Sequence, residues 1–317
     1  APGYYCEKAS TSIQQNKCPP GRYGGSSGLR DDACSGYCLG GYYCPEDEIN
    51  TNSTSLVCGS LDVYCPRGSS KPITVQRGYY SIQGLKDRRS NEAICPIGYF
   101  CVHGEKFPCP AGTYGDQNGL WYHFKPYDTF NGKYEDTGGS FVCSGLCPKG
   151  HYCLQNTTSA TAFPCPAGRY GSTIGLRNDS CTMACPFGHY CPSGTSNPIP
   201  CPAGTFGNTT GLTSKECRND CEGDICQPNY CQEGYYCPEG SRYSGERECG
   251  HAGVYCPTGS KIPITVDIGY YSIGPLPIER DDDKKRVDQI QCPRGSFCVN
   301  GVKRLCPPGT YGVTTGL

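Results

Sequence analysis

Apolar residues in this chain come in twos and threes and never settle into a long period. Blocks such as Tyr42-Tyr43-Cys44, Tyr79-Tyr80 and Tyr235-Tyr236-Cys237 are each bounded by Gly, Pro or polar residues. No stretch sustains the 3.6-residue spacing of an amphipathic helix, so the pattern predicts little or no helix. Proline after cysteine fixes φ and favours an extended entry, and a glycine two residues later permits φ > 0. Each Cys-Pro-x-Gly therefore predicts a tight turn that feeds a very short strand. The expected elements are turns and short two-stranded β-ribbons.

These elements recur at two scales. A short unit reads C-x3-C-P-x-G-x-Y-C, then a loop, then C-P-x-G-x-[YF]-G-x4-G-L, with four residues before the next cysteine. Cys181, Cys185, Cys191, Cys201 and Cys217 frame the cleanest copy. Cys6, Cys18, Cys34, Cys38 and Cys44 align without a gap with Cys153, Cys165, Cys181, Cys185 and Cys191. A longer repeat joins Pro72-Ile73-Thr74-Val75 to Pro263-Ile264-Thr265-Val266, and Gly78-Tyr79-Tyr80-Ser81-Ile82 to Gly269-Tyr270-Tyr271-Ser272-Ile273. The chain thus parses into a cysteine-rich repeat at 1–41 and a long-type repeat at 42–120 with an insertion at 66–94. An aromatic insertion at 121–142 follows, then short repeats at 143–234 and a second long-type repeat at 235–317 with an insertion at 257–291. Both ends match interior positions of the repeat, which predicts a segment of a longer array.

Composition turns this pattern into a compartment. The 317 residues include 28 Cys, 44 Gly and 27 Pro, but one Met and one Trp. Such a chain has little material for a conventional core and must be stapled, as small units of roughly 36 residues generally are. So many thiols predict an oxidising, extracellular or cell-surface location. Four Asn-x-Ser/Thr sequons, at Asn52, Asn156, Asn178 and Asn208, agree with that location and predict N-linked glycans. Asn156, Asn178 and Asn208 are expected in loops outside the bridged turns. A net charge of -1 gives no footprint for nucleic acid, and no run reaches the roughly 18 apolar residues of a membrane span.

No catalytic constellation, metal site or cofactor site is expected. No C-x2-C occurs, and His103, His123, His151, His189 and His251 are scattered. His151 and His189 stand where other units have Tyr. Gly24-Gly-Ser-Ser-Gly28 matches a nucleophile elbow in letters only, because no predicted strand precedes it and no helix follows. Asp281-Asp282-Asp283 before Lys284-Lys285-Arg286 could serve as a calcium ligand or protease site, but reads foremost as a solvated charged loop inside an insertion.

The C-P-x-G-x-[YF]-G-x4-G-L-x4-C-x3-C-P-x-G-x-Y-C pattern resembles the ephrin-receptor-like, or Gly-Cys-Cys, cysteine-rich repeats. More distantly, it is similar to the cysteine-rich modules of tumour necrosis factor receptors. The resemblance implies small disulfide-rich repeats in an extended linear array, and no particular chemistry. Two disulfide schemes fit the spacing. One crosses, as in the receptor modules: Cys143 with Cys153, Cys147 with Cys165, Cys181 with Cys191, and Cys185 with Cys201. The other closes each loop on itself: Cys165 with Cys181, Cys185 with Cys191, and Cys201 with Cys217. The resemblance to receptor modules favours the crossed scheme.

One stretch departs from the repeat. Where other units spend four residues, 121–142 holds Trp121, Tyr122, Phe124, Tyr127, Phe130, Tyr134 and Phe141. Such a density of rings predicts either a local core or an interface with neighbouring repeats or another chain. The expectation is a structural, self-associating glycoprotein that forms or coats a filament, surface appendage or wall. The alternative is a receptor or adhesion ectodomain whose repeats form a stalk with a binding site near 121–142.

Overall fold

A computed structural model describes residues 1–121, 143–218, 227–275 and 284–317. Among them there is no helix, and the chain forms fourteen two-stranded antiparallel ribbons. Most strands have only two residues. Four-residue strands occur in four ribbons, two in each long-type repeat. Tyr79–Ile82 pairs with Asn91–Ile94, and Tyr99–Val102 with Glu105–Pro108. In the second long repeat, Tyr270–Ile273 pairs with Asp288–Gln291, and Ser296–Val299 with Val302–Leu305.

The chain divides into two compact units. One comprises Ala1–Cys147 with Cys153–Ala162, the other Pro148–Tyr152 with Phe163–Leu317. The buried apolar side chains among the described residues are cysteines, apart from Leu212 and Ala252. In the second unit, Leu212 packs with Cys201 and Cys217 under the ring of Tyr190. Sulfur takes the place of the aliphatic core, as the composition requires.

Twelve bridges join the described cysteines, and they follow the loop-closing scheme, not the crossed one. Cys143 bonds Cys109 instead of Cys153, and Cys147 bonds Cys153 instead of Cys165. Cys181 bonds Cys165, Cys185 bonds Cys191, and Cys201 bonds Cys217. The physical reason is the turn. In Cys185-Pro-Phe-Gly-His-Tyr-Cys191, Gly188 adopts φ +73° and the His189 amide donates to the Pro186 carbonyl at 3.2 Å. The chain reverses within that loop and brings the two Cα atoms to 5.8 Å, inside disulfide reach. The Gly-Leu loop does the same over a separation of 16 residues: the ribbon Arg169–Tyr170 with Met183–Ala184 returns Cys181 to 6.0 Å from Cys165. Arg169 fastens the return by donating from Nη1 to the Ser180 carbonyl at 2.7 Å. Cys221 and Cys226, the two cysteines beyond the repeat pattern, lie outside the described residues, and Cys217 is bonded to Cys201.

At three places successive units are joined by a junction that repeats the same three backbone hydrogen bonds. One half is the Cys-Pro-x-Gly-x-[YF]-Gly turn. The other is a Cys-x-x-αL-[ST] loop that follows the next bridge. At Cys165–Gly171, the Gly168 amide donates to Cys191 O at 2.7 Å, the Gly194 amide to Cys165 O at 2.8 Å, and the Gly171 amide to Thr195 O at 2.9 Å. At Cys109–Gly115, the Gly112, Asn156 and Gly115 amides meet Cys153, Cys109 and Thr157 carbonyls at 2.8, 2.9 and 2.9 Å. At Cys201–Gly207, the Gly204, Gly240 and Gly207 amides meet Cys237, Cys201 and Ser241 carbonyls at 2.8, 2.9 and 3.0 Å.

The loop half holds its own shape. Asn156, Gly194 and Gly240 have φ +66°, +78° and +78°, and the hydroxyl of the next residue donates back to a carbonyl three residues earlier. These bonds are Thr157 to Leu154 O at 2.7 Å, Thr195 to Pro192 O at 2.6 Å, and Ser241 to Pro238 O at 2.7 Å. All three hydroxyl residues are buried, so the back-bond also satisfies a group that burial would otherwise penalise.

Candidate functional site

The groups with chemical potential are the sequons, the tyrosine-rich ribbon surfaces with their cations, and Trp121. Asn52, Asn178 and Asn208 are exposed. Asn52 Oδ1 accepts from the Thr54 amide at 3.2 Å and the Thr54 hydroxyl at 3.1 Å. Asn178 Oδ1 accepts from the Ser180 amide at 3.1 Å. In both sequons the third residue engages the carboxamide oxygen, and these bonds leave Nδ2, the atom that carries an N-linked sugar, unused. Asn156 is different: its Nδ2 donates to the Tyr99 hydroxyl at 3.4 Å, and it fills the left-handed position that Gly194 and Gly240 take elsewhere. Only Asn156 of the three short-unit sequons lies outside the bridges. Asn178 sits within the loop closed by Cys165 and Cys181, and Asn208 within that closed by Cys201 and Cys217, because the uncrossed pairing encloses the Gly-Leu loops.

Trp121 follows Leu120, whose carbonyl accepts from the Cys101 amide at 2.9 Å, and forms a parallel bridge with Cys101. Its side chain is 38% exposed, and the Arg77 guanidinium lies 4.8 Å from the ring centroid. The rest of the aromatic insertion, with Tyr122, Phe124, Tyr127 and Phe130, lies outside the described residues.

Cations over tyrosine faces recur elsewhere, and their repetition shows what they do. Lys106 Nζ stands 5.1 Å from the Tyr80 ring and 4.7 Å from Tyr99. Lys303 Nζ stands 4.8 Å from Tyr271. Each lysine is the second residue of its strand, in Glu105–Pro108 and Val302–Leu305, and Tyr80 and Tyr271 are the second residues of theirs. The same clamp therefore joins the two long ribbons in both long-type repeats, a packing role worth about 0.5–1 kcal/mol at an exposed site. Arg22 caps Tyr37 at 4.3 Å and donates to its hydroxyl at 3.0 Å. Sequence reasoning did not find these pairs; the equivalent placement of Lys106 and Lys303 was the available signal.

Among the described residues, two groups are shifted from their ordinary values. Burial pushes the Tyr64 hydroxyl up, and the neighbouring Glu92 carboxylate adds to the shift. A hydrogen bond from Ser214 holds the Glu216 carboxyl below the usual range. Among the described residues no group of three or more His, Cys, Asp or Glu could hold a metal ion, and no helix is long and apolar enough to cross a membrane. No family model matches the chain, and no curated protein matches it.

Proposed function

We propose that this chain is part of a structural, glycosylated extracellular repeat array that forms or coats a filament, surface appendage or wall. The observation that carries this reading is the junction. The same three backbone hydrogen bonds join neighbouring units at Cys109, Cys165 and Cys201, so each unit is built to receive the next and nearest-neighbour contacts dominate. The density of disulfides supports an oxidising compartment, and the similarity to ephrin-receptor-like repeats supports a surface array. The exposure of the sequons at Asn52, Asn178 and Asn208 supports glycosylation of this surface. A second reading, a receptor or adhesion ectodomain, draws on Trp121, a partly exposed ring beside Arg77 at the head of an aromatic insertion. Electron microscopy of the native material separates the two. The structural reading expects uniform filaments, with glycopeptides from the same preparation bearing sugar on Asn178 or Asn208. Monodisperse particles with bare asparagines would overturn it.

A further inference from the structure

The two long-type repeats share a backbone from Cys58 to Ile82 and from Cys249 to Ile273, and differ in what they display on it. In the first, Cys58 bonds Cys65 and Val63–Tyr64 pairs with Ile73–Thr74. In the second, Cys249 bonds Cys256 and Val254–Tyr255 pairs with Ile264–Thr265. Gly68 and Gly259 take φ +84° and +79°, and a Cβ on either would meet the ring of a preceding tyrosine, Tyr37 or Tyr230. The Val75 amide donates to Asp62 O at 2.8 Å, as the Val266 amide does to Gly253 O at 3.0 Å. On this common frame Arg67, Lys71 and Arg77 stand where the second repeat has Thr258, Ile262 and Ile268, and all six residues are exposed. The fold is therefore indifferent to charge at these positions. From 58 to 84 the three cations are offset by one carboxylate, Asp62, whereas from 249 to 275 Lys261 is balanced by Asp267. Glu92, which reaches back to the first stretch, is engaged by the Gln76 amide at 3.0 Å.

We infer that the 67–77 face of the first long-type repeat binds a linear acidic polysaccharide, whose sulfate or uronate groups are held by Arg67, Lys71 and Arg77. Such a site requires only an extracellular location and serves a filament and a stalk alike. Two of the cations are already fixed. The Arg67 guanidinium lies 5.6 Å from the Tyr37 ring centroid, and that of Arg77 lies 4.8 Å from the Trp121 ring centroid. A guanidinium held against a ring has less side-chain freedom to lose when an anion arrives, and its planar fork of N–H groups matches sulfate and carboxylate. Arg22 shares the Tyr37 ring at 4.3 Å, although its Nη1 and Nη2 already donate to Ala33 O and the Tyr37 hydroxyl. Among the described residues the ion pair that forms is Arg88 with Asp87 at 3.5 Å, and Arg67, Lys71 and Arg77 have none. Arg88 belongs to a different arrangement: it lies over Tyr42 as Lys285 lies over Tyr235, so that cation is common to both repeats. The layering selects the partner. Protein-binding surfaces set apolar rings at the centre and charge at the rim; here the rings of Tyr37 and Trp121 carry guanidiniums over them, so a partner meets charge first. The cations are spread along a segment that runs through a strand, at about 3.3 Å per residue, which suits a repeating polymer better than a single small anion.

The test uses the full chain and two soluble probes, dextran sulfate and polygalacturonate, with neutral dextran as the blank. Titration calorimetry at low salt should show binding to at least one charged probe, lost near about 1 M salt, where the screening length falls to roughly 3 Å. Arg67→Thr, Lys71→Gln and Arg77→Gln together should weaken it by roughly tenfold or more. Hydrogen exchange at the amides of residues 65 and 75, which donate to Arg89 O and Asp62 O, should stay as in the parent chain. The reciprocal graft, Thr258→Arg, Ile262→Lys and Ile268→Arg made in that triple variant, should return part of the affinity, because it rebuilds the same cations on the same frame. Parent affinity in the triple variant, or no gain from the graft, overturns the site. Binding to polyglutamate but to neither polysaccharide also overturns it and marks the face as one for an acidic protein segment.

Discussion

Full reduction under otherwise native conditions is expected to unfold the chain. With Leu212 and Ala252 the only apolar side chains buried beside the cysteines among the described residues, little apolar core remains to hold a unit once its sulfurs part. In the chain-entropy account, a loop of six residues contributes about 2 kcal/mol and one of sixteen about 3 kcal/mol. A whole domain has a net stability of only about 5–15 kcal/mol, so losing a few bridges is enough to reverse the balance. Excess dithiothreitol should therefore abolish slow amide exchange at Cys185 and Cys201, whose amides donate to Gly168 O and Gly188 O at 2.8 Å. Retention of that protection in the fully reduced chain would show that something other than sulfur forms the core.

The second large effect is expected at a glycine whose space is already occupied. Gly188 and Gly28 sit at φ +73° and +81°, so alanine at either adds about 1–2 kcal/mol of left-handed strain. Their surroundings differ. A Cβ on Gly188 would meet the Gly240 carbonyl oxygen of a following unit, whereas one on Gly28 finds open space within 4 Å. Backbone on both sides of the contact has no rotamer by which to yield, so Gly188→Ala should cost roughly 2 kcal/mol more than Gly28→Ala, about thirtyfold in local opening. Hydrogen exchange at the amides of residues 201 and 211 reads this directly. Equal effects of the two substitutions would mean that the stacking contact contributes nothing.

The element types were legible in the sequence because they follow from local chemistry. Cys-Pro-x-Gly dictates a reversal, and no apolar period existed to extend the strands. The disulfide pairing was less legible. Spacing left two schemes, and the favoured one came from resemblance to receptor modules. The deciding fact is how tightly Pro186 and Gly188 turn the chain, bringing Cys185 and Cys191 together before any longer-range partner can compete. The junction was hidden for another reason: its bonds are backbone to backbone, and side-chain letters encode them only through a left-handed residue followed by Ser or Thr. Asn156 shows the limit of motif reading, since one asparagine serves both as a sequon and as a substitute for that glycine.

The central claim is that turns such as Cys185–Cys191 and Gly-Leu loops such as Cys165–Cys181 and Cys201–Cys217 are closed by their own bridges, which makes these units self-contained modules. Replacing Cys185 and Cys191 together by alanine, then titrating thiols in the denatured, unreduced protein, tests it most directly. The loop-closing scheme predicts the same thiol count as the parent chain, because those two cysteines bond each other. A crossed scheme would release Cys181 and Cys201 together, and the appearance of those two thiols would contradict the account.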